Sequence, residues 1–216
     1  MVILRYVIAI AVLLLSAVGT PAHADSSGLV TSFPKALDTD CLDGRAKTYD
    51  QCGDQFAMYE EAFAMAQEQE KVLLVSLGAE WCFWCHVFAG TVSVPGAPLE
   101  AFAAERFVIV HIDAEFGANY QQVLRSTAAD TVYTGGLPLL FVVAADGTFA
   151  SAIDHKTVAN GTQYDLPALE QELGRLYASA LIPNDPYRKI LRKLPPIGGW
   201  PEGQAPEDTQ DIITSP

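Results

Sequence analysis

Residues 71–86 read Lys71-Val72-Leu73-Leu74-Val75-Ser76-Leu77-Gly78-Ala79-Glu80-Trp81-Cys82-Phe83-Trp84-Cys85-His86. The run Val72 to Leu77 is short, apolar and partly β-branched, which predicts a buried strand. A helix is expected to start directly at the cysteine motif. Two cysteines three positions apart at a helix start lie on one side of its first turn, close enough to close a small disulfide ring. Unpaired backbone N–H groups and the helix dipole favour negative charge there, so the first sulfur is held partly as thiolate, the species that attacks a disulfide. Cys82 is thus the expected nucleophile, and Cys85, one turn deeper, the residue that resolves the mixed disulfide.

Other chemistries use the same residues. Cys-x-x-Cys-His is also the attachment motif of c-type haem, with His86 as proximal ligand and His111 or His155 as a second. A buried strand running into the motif and a Gly-Gly-Leu-Pro segment downstream disfavour it, and Met1, Met58 and Met65 all lie upstream. A zinc site would draw on Cys41 and Cys52 besides Cys82 and Cys85, but a separation of ten intervening residues is poor knuckle spacing. A purely stabilising Cys82–Cys85 bridge is weak, because so small a ring constrains little of the unfolded chain. Neither a cofactor nor a metal is expected.

Outward from the motif, the chain alternates. Upstream, Phe56, Tyr59, Phe63 and Ala66 recur at helical spacing behind Asp54 as a cap. Downstream, Thr91 to Pro98 is a loop or helix break. A short helix (Leu99 to Glu105), a buried strand (Phe107 to Asp113) and a helix around Asn119 to Thr127 follow. After a glycine-bearing loop, Thr134 to Gly136, Leu137-Pro138 leads into a hairpin of Leu139 to Ala144 and Thr148 to Ile153 about Ala145-Asp146-Gly147. The last helix begins near Asp165, with Pro167 in its first turn and Leu166, Leu169, Leu173, Leu176 and Ala180 on one face. This order predicts an α/β domain over residues 54–181, with a mixed sheet whose last two strands are antiparallel.

The ends read differently. Arg5, an apolar run from Tyr6 to Leu15, and Ala22-His23-Ala24 form the order of a cleaved secretory signal peptide over residues 1–24. Export places the protein in an oxidising compartment, where cysteine pairs persist as disulfides. Residues 25–53 carry Cys41 and Cys52 without sustained periodicity, and are expected to be an ordered extension tied by one disulfide between those two. Residues 182–216 are rich in proline, with Arg188, Lys189, Arg192 and Lys193 as a basic cluster that reads as a solvated turn before an acidic tail. The 216 residues carry 13 Lys+Arg against 26 Asp+Glu, a formal charge of −13 that becomes −14 once Arg5 leaves with the signal. Such acidity argues against nucleic acid as a partner, since a phosphate-binding surface needs a basic face.

Lys71 to His86, with Leu137-Pro138 and the Asp146-Gly147 hairpin, resembles the thioredoxin-like fold, in the secreted branch whose Trp-Cys-x-Trp-Cys-His motif carries an aromatic and a histidine. The resemblance covers about Asp54 to Leu181. It implies a thiol–disulfide oxidoreductase with a cis Pro138 facing the cysteines, the backbone of Leu137 free to pair with an extended peptide, and Trp81 as one wall of the site. Three departures stand out. Ser76 occupies the strand position of the family's buried aspartate, leaving Glu80 or water to move the proton. Phe83-Trp84 replaces Gly-Pro between the cysteines and makes a bulkier apolar rim. His86 is either a cation that stabilises thiolate or a neutral helix residue hydrogen-bonded nearby. The resemblance thus implies a monomeric periplasmic enzyme that reduces disulfides of exported proteins and draws electrons from a membrane thiol carrier. An oxidase or isomerase of the same fold, or a peptide-binding chaperone module without turnover, are the alternatives.

Overall fold

The computed structural model describes residues 29–182, apart from Thr39. The signal-peptide segment, the basic cluster at 188–193 and the proline-rich tail lie outside the described residues.

The core is a five-stranded sheet in the order β1-β3-β2-β4-β5. Its strands are β1 (Thr31–Phe33), β2 (Val72–Gly78), β3 (Phe107–Asp113), β4 (Leu139–Val143) and β5 (Phe149–Ile153). β1 and β2 run parallel to β3, β4 is antiparallel to β2, and β5 antiparallel to β4. Every residue of β2 and β3 is buried, as strands covered on both faces must be.

Successive side chains of a strand point to opposite faces, so the two central strands feed two cores. Leu73, Val75 and Leu77 join Val108, Val110 and Ile112 under α1 (Gln55–Glu68) and α4 (Tyr120–Thr127). Val72, Leu74, Phe107 and Ile109 face α2 (Phe83–Val92), α3 (Glu100–Arg106) and α5 (Leu166–Leu181). Continuing the second strip toward the strand ends gives Ser76, Gly78, His111 and Asp113. One row thus changes from apolar to polar or small just where it passes beneath the start of α2.

Local signals set the helix starts. The Asp54 carboxylate accepts the N–H groups of Phe56 and Ala57 at 3.0 and 3.1 Å, and these bonds together with Asn119 hold its carboxyl below the usual range. Asp165 caps α5 through the Ala168 N–H at 3.0 Å. Leu169, Leu173, Leu176 and Ala180 are buried on one face of α5, whereas Leu166, grouped with them by periodicity, is exposed. Among the described residues no helix is long and apolar enough to cross a membrane.

The sequence reading needs two additions, the first in the extension. It contains β1, three residues long, which pairs with the edge of β3 and buries only Phe33 fully; so short a strand leaves no alternation to detect. A second small sheet, β6 (Ala159–Asn160) with β7 (Gln163–Tyr164), lies between β5 and α5.

Cys41 and Cys52 are joined by a disulfide, with Cα atoms 5.9 Å apart. Closing that loop removes freedom from the unfolded chain. Replacing both by serine is expected to lower stability by about 2–3 kcal/mol, read as a lower denaturant midpoint. An unchanged midpoint would show that the bridge is dispensable to the fold.

Candidate active site

β2 ends at Gly78, and Cys82 is the N-cap of α2, its Sγ accepting the Cys85 N–H at 3.2 Å. The Cys82 carbonyl takes the N–H groups of Cys85 and His86 at 3.1 and 3.3 Å. Cys82 and Cys85 form a disulfide across the first turn, Cα to Cα 5.2 Å. Cys85 is wholly buried and Cys82 only 4% exposed, so what reaches solvent is an edge of Cys82. Around it Trp81 and Phe83 are 67% and 55% exposed. The Leu137–Pro138 peptide is cis, and Leu137 packs on the two cysteines.

Trp84 behaves differently from Phe83. It is half-buried, its ring 5.1 Å from that of Tyr164 and 5.8 Å from that of His155, and the Tyr164 hydroxyl donates to its carbonyl at 3.3 Å. Of the two intervening aromatics, Phe83 supplies most of the exposed rim, because the β6–β7 hairpin gives Trp84 an aromatic partner to pack on.

Residues from the extension complete the site. Glu80 Oε1 accepts the backbone N–H groups of Lys47, Thr48 and Tyr49 at 3.0, 2.7 and 2.6 Å. The sequence reading offered Glu80 as a substitute acid for the second cysteine; its carboxylate is instead engaged with this backbone. His86 Nε2 lies 2.6 Å from the Glu80 carbonyl oxygen and 3.3 Å from Glu80 Oε2. Both are acceptors, so Nε2 carries the hydrogen. His86 Nδ1 meets Thr48 Oγ1 at 3.0 Å.

Held by this backbone grip, Tyr49 turns inward and is completely buried against Ala79, Cys82 and Cys85. Its hydroxyl lies 3.0 Å from Ser76 Oγ. A Cβ on Gly78 would collide with the Tyr49 hydroxyl and, at 2.8 Å, with Cys85 Sγ, so only glycine admits both. Burial holds the Tyr49 hydroxyl protonated well beyond the ordinary tyrosine range. The outer side of the extension borders a groove of about 990 Å³ that includes Arg45, Lys47, Trp81, His86 and Phe116 in its walls.

Two groups of β3 stand behind Tyr49. His111 meets its ring edge-on at 5.6 Å, and His111 Nε2 pairs with Ser93 Oγ at 3.1 Å. Its Nδ1 has no hydrogen-bond partner, and burial pulls its pKa from 6.5 to about 4. Asp113 Oδ1 accepts the N–H groups of Glu115, Phe116 and Gly117 at 3.0, 2.6 and 2.8 Å, fixing the loop that carries Phe116 to the groove. Gln55 Oε1 accepts the Asp113 N–H at 2.8 Å.

The structure therefore brings Cys82, Cys85 and Leu137 together, with Trp81 and Phe83 exposed beside Cys82, Glu80 and His86 next to them, and Pro138 buried behind the cis peptide it shares with Leu137. Cys41 and Cys52 staple the extension, and all four cysteines lie in disulfides, two by two. Sequence reasoning missed Tyr49, His111 and Asp113. The alternation of β3 carried a signal for the last two, since both share the face that α2 covers. Nothing local marked Tyr49.

Residues 55–145 match a family model described as thioredoxin-like, and the sheet and its flanking helices have the thioredoxin-like fold. No curated protein matches the chain. Among solved structures, a disulphide isomerase from Xylella fastidiosa Temecula1 is 21% identical, with 56% of this chain covering 90% of that one at a TM-score of 0.44. A thioredoxin from Thermus thermophilus is 20% identical over 54% of this chain and 82% of its own, TM-score 0.39. The C-terminal domain of Neisseria meningitidis DsbD, in its oxidised form, is 20% identical over 60% and 99%, TM-score 0.37. Likenesses of this size say nothing about activity.

Two outcomes follow from the site's packing. Gly78→Ala is expected to destabilise the protein by about 1–3 kcal/mol, since Tyr49 or Cys85 must move; an unchanged melting temperature contradicts the packing. His111 has a folded-state pKa below its unfolded one, so the unfolded chain binds the extra proton. Its contribution is full above pH 6.5 and is lost as pH falls toward about 4. His111→Gln is expected to flatten the acid side of the stability profile in that window; a slope equal to that of the wild type would contradict the burial.

Proposed function

We propose that the protein is a periplasmic thiol–disulfide oxidoreductase that reduces disulfides of exported proteins. The observation that carries this reading is Cys82: its sulfur caps α2 and accepts the Cys85 N–H, and the residue keeps a trace of exposure between its exposed sequence neighbours Trp81 and Phe83. A helix N-terminus and a fixed N–H donor stabilise a thiolate at that position.

In the dithiol form, the Cys82 thiolate attacks one sulfur of a substrate disulfide. A Cys82–substrate disulfide forms, the substrate's own S–S bond breaks, and the departing thiolate takes a proton from water. Cys85 then gives up its proton and attacks the Cys82 sulfur, closing the Cys82–Cys85 disulfide and releasing the second substrate thiolate, which is protonated in turn. Two electrons have passed to the substrate. A membrane thiol carrier returns them by the reverse exchange, its own dithiol becoming a disulfide. Trp81, Phe83 and the Leu137–Pro138 strip form the surface on which the substrate chain rests, and residues 1–24 direct export. The protein works as a monomer without a cofactor.

Turnover of a model disulfide substrate, together with equilibration against glutathione, tests this. A potential near about −270 mV with substrate reduction is the expected result, and one near about −120 mV identifies an oxidase. Cys82→Ser is expected to abolish turnover and Cys85→Ser to leave a mixed disulfide on Cys82. Absence of turnover in both directions, with peptide still bound by Cys82→Ser, would mark a binding module.

A further inference from the structure

We infer that Tyr49 is a positioning residue for Cys85: its hydroxyl and that of Ser76 form a two-hydroxyl chain at the Cys85 sulfur, whose hydrogen bonds reverse with the charge on that sulfur. The inference deepens the proposed thiol–disulfide exchange and rests on it. Resolution of the mixed disulfide requires a thiolate on Cys85, and Cys85 is fully buried, which by itself favours the neutral thiol. The strand residue beneath it is Ser76, which is no acid or base at working pH.

Three observations place Tyr49 there. The hydroxyl is 3.0 Å from Ser76 Oγ, and either oxygen is competent to donate. The ring belongs to the buried cluster of Ala79, Cys82 and Cys85. The hydroxyl and Cys85 Sγ both crowd the single point where a Gly78 Cβ would stand. With Cys85 as thiol, its S–H donates to Tyr49 Oη and Tyr49 donates to Ser76. With Cys85 as thiolate, Ser76 donates to Tyr49 Oη and Tyr49 donates to sulfur. Neither hydroxyl loses its proton in this reversal. The Cys85 proton goes, in net, to the departing substrate thiolate, so the exchange stays balanced.

Of the other ionisable groups on this side, Glu80 and His86 are occupied. The Glu80 carboxylate holds the Lys47–Tyr49 backbone, and His86 is bonded to Thr48 and to the Glu80 carbonyl. On β3, His111 stays neutral above about pH 4, and Asp113 Oδ1 is filled by loop N–H groups while its Oδ2 is buried without a partner. Tyr164, on the far side of Trp84, is held neutral by its burial.

The test is the titration of Cys85 in a Cys82→Ser background, where serine preserves the helix cap, followed by NMR of isotope-labelled cysteine. Adding Tyr49→Phe keeps the ring and removes only the hydroxyl. The Cys85 midpoint is expected to rise by about one pH unit, a tenfold loss of thiolate at a given pH. Ser76→Ala is expected to raise it by less. An unchanged or lowered midpoint in Tyr49→Phe overturns the inference, as does a larger rise in Ser76→Ala, which would make Ser76 the direct partner. The titration needs no substrate, so its result stands whether or not the protein turns over disulfides. Loss of turnover with the expected titration would count against the proposed function alone.

Discussion

Gly78 ends β2 without a side chain, and the space left there is filled from two sides, by Cys85 of the motif helix and by Tyr49 of the extension. The sheet dictates this meeting. Alternation puts residues 72, 74, 76 and 78 in one row under α2, and the row runs from large and apolar to small and polar as it approaches the cysteines. A larger residue at its end would push the tyrosine or the sulfur away. The floor of the site is thus built by residues 45–49 as much as by the sheet, and the loop that carries them is closed by Cys41–Cys52.

The same junction explains how an acidic residue sits two positions before the reactive sulfur without opposing a thiolate there. Glu80 accepts three backbone N–H groups, and its charge is spread over them. The carboxylate anchors the extension, and its field at Cys82 is offset by the donors it has gathered. His86 completes the clamp through Thr48 and the Glu80 carbonyl. It thereby fixes its own Nε2 hydrogen and couples the first turn of α2 to the extension.

Most of the fold was legible because its signals are local and periodic. Val72 to Leu77 and Phe107 to Asp113 are short, mostly apolar runs, Asp54 and Asp165 are caps, and Asp146-Gly147 is a turn. Cys82 and Cys85 were legible for the same reason, since their spacing and place between strand and helix carry the chemistry. What stayed hidden depends on contacts distant in sequence. β1 is too short for a pattern and exists through pairing with β3. Tyr49 lies 27 residues from the serine it bonds, and no local feature separates it from the other polar and aromatic residues of its segment. The anchoring role of Glu80 was hidden because a carboxylate next to a redox motif suggests proton transfer, while its backbone partners are invisible until the extension folds over it.

The unequal burial of the two sulfurs assigns their tasks. Of the two cysteines only Cys82 keeps any exposure, so in the proposed exchange attack on a substrate belongs to it, tuned by the helix N-terminus and the Cys85 N–H. Both stabilise the reduced form, which raises the potential of the pair above that of an unperturbed dithiol. Cys85 is reached only from inside, where Tyr49 and Ser76 stand. In the proposed exchange the extension therefore acts on the resolving step and on the lifetime of the mixed disulfide, while the helix acts on its formation. A long-lived mixed disulfide favours isomerisation and a short-lived one favours net transfer of electrons. Under the proposed exchange and the inferred role of Tyr49, the balance between the two is set by the few atoms between the Tyr49 hydroxyl and the buried Cys85 sulfur.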